Sequence, residues 1–135
     1  MLWLLDTNIV IAAVKGQPAV RARLERVRAV DVVLSPIVLG ELEFGAEKSS
    51  FPERNRAKLQ TVIDGFTLAA LDYAASRLYG RIRHELERIG QPICANDLWI
   101  AAQGLALGAT VVTDNIREFE RVVGLRFENW LIPEK

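Results

Sequence analysis

The chain opens on an apolar run, Leu2-Trp3-Leu4-Leu5, stops at Asp6-Thr7-Asn8, and resumes as Ile9-Val10-Ile11-Ala12-Ala13-Val14. A short unbroken apolar run closed by a carboxylate predicts a buried parallel strand that delivers Asp6 to its carboxyl end. Thr7 or Asn8 then caps a helix to about Val14, which Lys15-Gly16-Gln17-Pro18 ends. Residues 19–29 predict a second helix with Arg21, Glu25 and Arg28 outward, and Val32-Val33-Leu34 a second buried strand. Ser35-Pro36, a capping hydroxyl before a proline at the first helical position, starts a helix to about Lys48. After a break at 49–52, residues 53–63 predict a helix with a charged face and residues 66–71 a third strand. Asp72 caps a long helix ending at Ile89, closed by Gly90-Gln91-Pro92. Residues 96–107 predict an apolar, alanine-rich and largely buried helix ended by Gly108. A fourth strand follows at 110–113 and a candidate fifth at 125–127.

Strands alternating with helices, and no hairpin signals between them, predict an α/β fold: a central parallel sheet of four to five short strands flanked by helices. With 135 residues, half of them hydrophobic, the chain suits one domain spanning 1–135. Lys+Arg and Asp+Glu are equal at 17 each, so net charge neither supports nor excludes a nucleic-acid partner. The single cysteine, Cys94, rules out an intramolecular disulfide. No basic segment precedes the first apolar run, and Asp6 interrupts it early, so neither a signal peptide nor a membrane span is expected, and the expected compartment is the cytoplasm.

Four acids fall beside residues that should be buried. Asp6 follows the first strand and Asp114 the fourth. At about 100° per residue, Glu41 lies within the apolar arc of its helix, near Ile37, Val38 and Gly45, whereas Glu43 and Glu47 point away as a solvated face. Asp97 shares a face with Ile100, Ala101 and Gly104, where small side chains let the helix approach the sheet. Blander roles exist: a boundary residue paired with arginine for Glu41, a helix-dipole acid for Asp97, a turn residue for Asp114. Yet all four reach one edge of the inferred sheet, and like charges so placed must hold protons or bind a cation. An all-oxygen set favours Mg²⁺ or Mn²⁺, which cleaves phosphodiesters by activating water and stabilising the leaving oxygen. Asp6 and Asp97 are the expected core ligands. Glu41 is a ligand or the group orienting the water, and Asp114 a ligand to a second or water-bridged ion. Thr7, Asn8, Asn96, Thr113 and Asn115 are candidate hydrogen-bonding supports for these acids.

Other chemistry is less well supported. His84 stands on a charged helix, and Cys94 has no histidine partner that the sequence places nearby. Trp3, Trp99 and Trp130 read as core or interface. Arg21, Arg54, Arg56, Arg77, Arg81, Arg83, Arg117 and Arg121 are the pool from which phosphate contacts would come.

Leu5-Asp6-Thr7-Asn8, Glu41 within residues 35–42, Asn96-Asp97-Leu98-Trp99-Ile100-Ala101-Ala102, and Val112-Thr113-Asp114-Asn115 with Glu118-Phe119 resemble the PIN-domain nucleases. Residues 117–130, together with Ile82-Arg83 and Gly90-Gln91-Pro92-Ile93, are similar to VapC toxins of bacterial toxin–antitoxin pairs. The resemblance implies a PIN-like α/β/α sandwich and a Mg²⁺- or Mn²⁺-dependent endoribonuclease with Asp6, Glu41, Asp97 and Asp114 as its catalytic and metal-binding acids. It also implies a homodimer neutralised by a small VapB-type antitoxin, structured RNA such as transfer RNA as substrate, DNA met only through the antitoxin, and no membrane. Many relatives carry Asn at the position of Asp114. Three rivals stay open. A haloacid-dehalogenase-like phosphatase wants an acid where Asn8 stands and a suitably placed lysine in the carboxyl half. A PIN nuclease of RNA processing would lack a neighbouring antitoxin gene. A non-catalytic binding module would tolerate Asp6→Asn.

Overall fold

The computed structural model describes residues 1–134; Lys135, the end of the expected domain, lies outside the described residues. In chain order the elements are β1 (Trp3–Leu5), α1 (Thr7–Val14), α2 (Pro18–Glu25), a 3₁₀ turn (Ala29–Asp31), β2 (Val32–Leu34), α3 (Pro36–Glu47) and α4 (Pro52–Ile63). There follow β3 (Thr67–Leu68), α5 (Tyr73–Arg88), α6 (Ala95–Leu107), β4 (Thr110–Val112), α7 (Ile116–Phe119) and β5 (Arg126–Glu128). The strands form one sheet in the order β3-β2-β1-β4-β5. All neighbours are parallel, with Trp3 level with Val32 and Thr110, and Leu5 level with Val112.

β2 and β4 are buried at every residue, and Leu4 and Leu5 of β1 are fully buried between them. Burial on both faces is why these strands read as continuous apolar runs. α1 packs against α2, α3 and α4, while α5 packs along α6, so the sheet is flanked by helices. Ser35 Oγ accepts from the Ile37 N–H at 3.2 Å and Asp72 Oδ1 from the Ala75 N–H at 2.9 Å, two caps that the sequence marks; the cap expected at Thr7 or Asn8 falls instead on Asp6, whose carboxylate accepts from the Thr7 N–H, so that Thr7 and Asn8 lie inside α1. Trp130 is buried with its ring centroid 5.4 Å from that of Trp3, and Trp99 stacks on Tyr79 at 4.0 Å. His84 is exposed.

Three elements depart from the sequence pattern. The helix expected over 19–29 ends at Glu25, because the Arg26 and Val27 N–H groups turn back to Arg23 O and Leu24 O and the chain tightens into the 3₁₀ turn before β2. The third strand keeps only Thr67 and Leu68 of the residues 66–71. Its one neighbour, β2, ends at Leu34 before Pro36, which has no N–H for the ladder, and beyond it the Gln103 side-chain amide of α6 satisfies Ala69 O and Ala70 O at 3.0 and 3.2 Å. The four-residue α7 is too short to leave a period in the sequence.

Helix α6 rests directly on the sheet. A Cβ at Gly104 would stand 2.8 Å from Val111 Cγ2 and 3.3 Å from Leu125 Cδ1. Past that contact Gly108, at φ 65°, ends the helix in the left-handed conformation that glycine adopts without strain. Gly104→Ala should therefore lower stability by about 1 kcal/mol, overpacking outweighing the gain in helix propensity. Gly80→Ala, with open space around its Cβ position on α5, should raise it by a similar amount. Urea unfolding of both variants checks the opposite signs.

Candidate metal centre

Strand order reverses between β1, which leads to β2, and β4, which is entered from the far side of the sheet. The carboxyl ends of those two neighbours border the crevice where open α/β sheets bind ligands. Asp6 leaves β1 there, and Thr113-Asp114-Asn115 leaves β4.

Asp6 is fixed from every side. Its N–H donates to Val112 O of β4 at 2.8 Å. Its carboxylate accepts from the Thr7 N–H at 2.8 Å and from the Thr113 hydroxyl at 2.9 Å. That hydroxyl accepts in turn from the Asn115 N–H at 2.9 Å. Asp6 is 7% exposed and Thr113 fully buried.

The other acids come from the flanking helices and the β4 loop. Asp97, 8% exposed in the first turn of α6, accepts from the Asn115 side-chain amide at 2.9 Å. The same amide donates to Glu118 at 3.0 Å, and Glu118 also accepts from the Cys94 N–H at 3.4 Å. Glu41, on α3, accepts from the Asn96 amide at 3.1 Å. Asp114, exposed, accepts from the Asn8 amide at 3.2 Å. Of the five expected supporting residues, Asn8, Asn96, Thr113 and Asn115 thus hold acids by their side chains. Thr7 does so by its main chain, and its hydroxyl is buried without a hydrogen-bond partner among the described residues.

The tightest group of metal-ligating atoms is not the four acids singled out from the sequence. Among the described residues it is Cys94, Asp97 and Glu118, whose donor atoms lie within 4.8 Å of one another. Glu118 enters the sequence reading only as part of a family likeness. Its signal was the spacing from Asn115, three residues along and so on one face of α7, but a four-residue helix is not legible in advance. Cys94 caps α6 beside the acids, although burial first, and then the charge of Asp97 and Glu118, push its thiol up and away from the thiolate a nucleophile needs.

Electrostatics separates these carboxyls. Burial raises Asp6 above its ordinary value, the Thr113 hydroxyl and Thr7 N–H work against it, and the charges of Glu41 and Asp114 add to it. Asp97 is pushed up to about 7, by burial first, then by its hydrogen bond to Glu118 and by the charges of Asp6 and Glu118. Glu118 is lowered, chiefly by the same bond, so the two carboxyls titrate as a pair, Asp97 upward and Glu118 downward. Ion pairs among the described residues involve Glu43, Glu47, Glu85, Glu87, Glu128, Glu134 and Asp31, never these five acids. Neutral amides and a hydroxyl orient the carboxylates and leave their charge uncompensated. An oxygen-rich donor set in that state, beside an unpartnered buried hydroxyl, fits a hard divalent cation with its waters.

A parallel α/β sheet with carboxylates gathered at the reversal of its strand order defines a metal-dependent nuclease of the PIN class, and the sequence model of the PIN domain family matches residues 3–125. The chain is 43% identical over 129 residues to the tRNA(fMet)-specific endonuclease VapC of Shigella flexneri, covering 95% of this chain and 97% of that protein. It is 40% identical over 131 residues to ribonuclease VapC2 of Haemophilus influenzae, covering 96% and 98%. Its fold superposes on VapBC2 from Rickettsia felis, solved bound to a promoter DNA fragment, with a TM-score of 0.91, 37% identity and coverage of 96% and 99%. The chain belongs to the VapC ribonucleases of the PIN-domain family, endoribonuclease toxins of toxin–antitoxin pairs.

The raised carboxyl has a thermodynamic consequence. In the native state Asp97 keeps its proton up to about pH 7, whereas in the unfolded chain it releases it near the ordinary 3.8. Between those values the native state binds more protons, so in EDTA stability should fall as pH rises from about 4 to 7. Glu118, lowered from 4.5, acts in the opposite sense but at the acid end of that window. Asp97→Asn should flatten the fall, read by urea unfolding at a series of pH values; an unchanged slope in that variant would assign it to another group.

Proposed function

We propose that the carboxylate edge holds Mg²⁺ or Mn²⁺ and hydrolyses phosphodiester bonds of structured RNA, transfer RNA first among them. The observation that carries this reading is the gathering of Asp6, Glu41, Asp97, Asp114 and Glu118 around neutral donors, with no cation of the described residues in ion-pair contact. Asp6 and Asp97 are the core ligands, being buried and oriented by Thr113 and Asn115. Glu118 joins them through the shared Asn115 amide. Glu41, turned by Asn96, is a further ligand or orients the attacking water. Asp114, exposed and held by Asn8, serves an outer or second ion. A bound divalent ion supplies the charge that acidifies water and offsets the phosphate oxygens. The transfer-RNA substrate rests on the likeness to the Shigella enzyme.

The same reading extends to partners. A VapB-type antitoxin neutralises the protein, and DNA is met only through that antitoxin; the Rickettsia relative was solved as a VapBC2 complex bound to a promoter DNA fragment. Supporting its place is a groove of about 400 Å³ between α1, α3 and α4, lined by Ile11, Val14, Leu42, Ala46 and Leu59 and reaching Glu41. The whole chain, 1–135, works as one PIN domain in a homodimer in the cytoplasm. No described helix is long and apolar enough to cross a membrane.

Purified protein should cut end-labelled transfer RNA into discrete fragments in Mg²⁺ or Mn²⁺ and leave it whole in EDTA. Asp97→Asn and Asp6→Asn should each reduce the rate by about 10²-fold or more, and Mn²⁺ should raise the melting temperature of the unaltered protein but not of Asp97→Asn. Equal cleavage by all three proteins, or none with either metal, would overturn the reading.

A further inference from the structure

The acids occupy one side of α7; its other side faces a second, polar groove. Asn115 and Glu118, three residues apart, turn to Asp97, while Arg117, on α7, and Arg121, in the turn that follows it, both border that groove. With Gly90, Gln91, Pro92 and Glu120 these arginines line a groove of about 650 Å³. Arg121 is spoken for: its guanidinium donates to Pro92 O at 2.9 Å and ties α7 to the loop before α6.

Arg117 is different. Arg23, Arg26, Arg28, Arg56, Arg83 and Arg88 are ion-paired, Arg21 and Arg126 donate to carbonyls, and Arg54 and Arg77 lie over Phe51 and Tyr73. Arg117 is exposed and has no ion pair or hydrogen bond with another described residue, though it adjoins Glu118 in the chain. Arg81 likewise has no ion pair or hydrogen bond with another described residue, and it lines a mainly apolar groove, with Leu78, Ile82 and Val123, that shares only Arg121 with this one.

A strand delivered to five carboxylates meets repulsion on each phosphate that no bound cation covers. A guanidinium next to that edge offsets it and offers a planar, bidentate fork to phosphate oxygens. The groove has two arginines against one acid, Glu120, and its one apolar side chain is Pro92, so it offers a peptide no anchor. We propose that Arg117 binds the RNA backbone phosphate adjacent to the bond cut at the acidic edge and so positions that bond over Asp97 and Glu118. This rests on the nuclease reading above, and Arg117 is a positioning residue, not a ligand of the metal.

The test measures binding of fluorescein-labelled total transfer RNA to full-length Asp97→Asn protein in EDTA, conditions expected to prevent cleavage, across a salt series. Adding Arg117→Ala should weaken binding about fivefold and make the plot of log affinity against log salt shallower by about 0.7–0.9, the loss of one phosphate contact. Arg117→Lys should recover part of both, and Arg77→Ala, an equal loss of charge elsewhere, should change neither appreciably. In the otherwise unaltered enzyme Arg117→Ala should raise KM more than it lowers kcat and leave Mn²⁺ affinity, read by electron paramagnetic resonance, as it was. An unchanged affinity and salt slope, or a loss of Mn²⁺ binding, would overturn the proposal. If the parent bound and cut no RNA at all, the nuclease reading would fail, and this subsite with it.

Discussion

Uncompensated negative charge at the carboxyl edge of β1 and β4 is the constraint on which this protein turns. A carboxylate at the rim of a core is unfavourable unless its charge is offset or removed. Here no arginine or lysine among the described residues forms an ion pair with it, although arginines are plentiful on the surface. What the fold supplies is aim: Asp6 locked to β4 through Val112 and Thr113, and Asp97 held against Glu118 by one asparagine. Charge that is oriented but left unbalanced favours cation binding, and the raised Asp97 carboxyl is the metal-free expression of the same condition.

The aim depends on packing at a distance. Asp97 and Gly104 lie on one face of α6, two turns apart, and Gly104 is the point at which the helix backbone meets Val111 and Leu125. The absence of a side chain there sets how far α6 stands from β4, and therefore where Asp97 stands relative to Asp6. A glycine that contributes no chemistry fixes the geometry in which the chemistry happens.

Much of this was legible before the structure. The apolar runs marked β1, β2 and β4 because central parallel strands are buried on both faces, and Asp6, Glu41 and Asp97 stood out because acids are unexpected on faces otherwise apolar. The caps of Ser35 and Asp72 were legible for the same local reason. What stayed hidden depended on partners far away in the chain. The third strand stops early because its one neighbour, β2, ends at Leu34 before Pro36, which has no N–H to continue the ladder, and Gln103, more than thirty residues on, satisfies the carbonyls beyond. Glu118 could not be separated from other surface acids because it sits on a helix of four residues, whose meaning comes only from Asn115 and Cys94.

That short helix also shows how opposite charges coexist at one site without cancelling. Were Arg117 aimed at Glu118, the two would neutralise each other and weaken both cation binding and anion recognition. Residue spacing prevents it: Asn115 and Glu118 face the acids, Arg117 and Arg121 face the loop, and neighbours in sequence point about 100° apart on a helix. The Arg121 bond to Pro92 O holds the turn in that orientation, and the Cys94 N–H on Glu118 holds it from the other side. Four helical residues thereby keep a cation-seeking edge and an anion-seeking groove apart while leaving them within reach of one strand of nucleic acid.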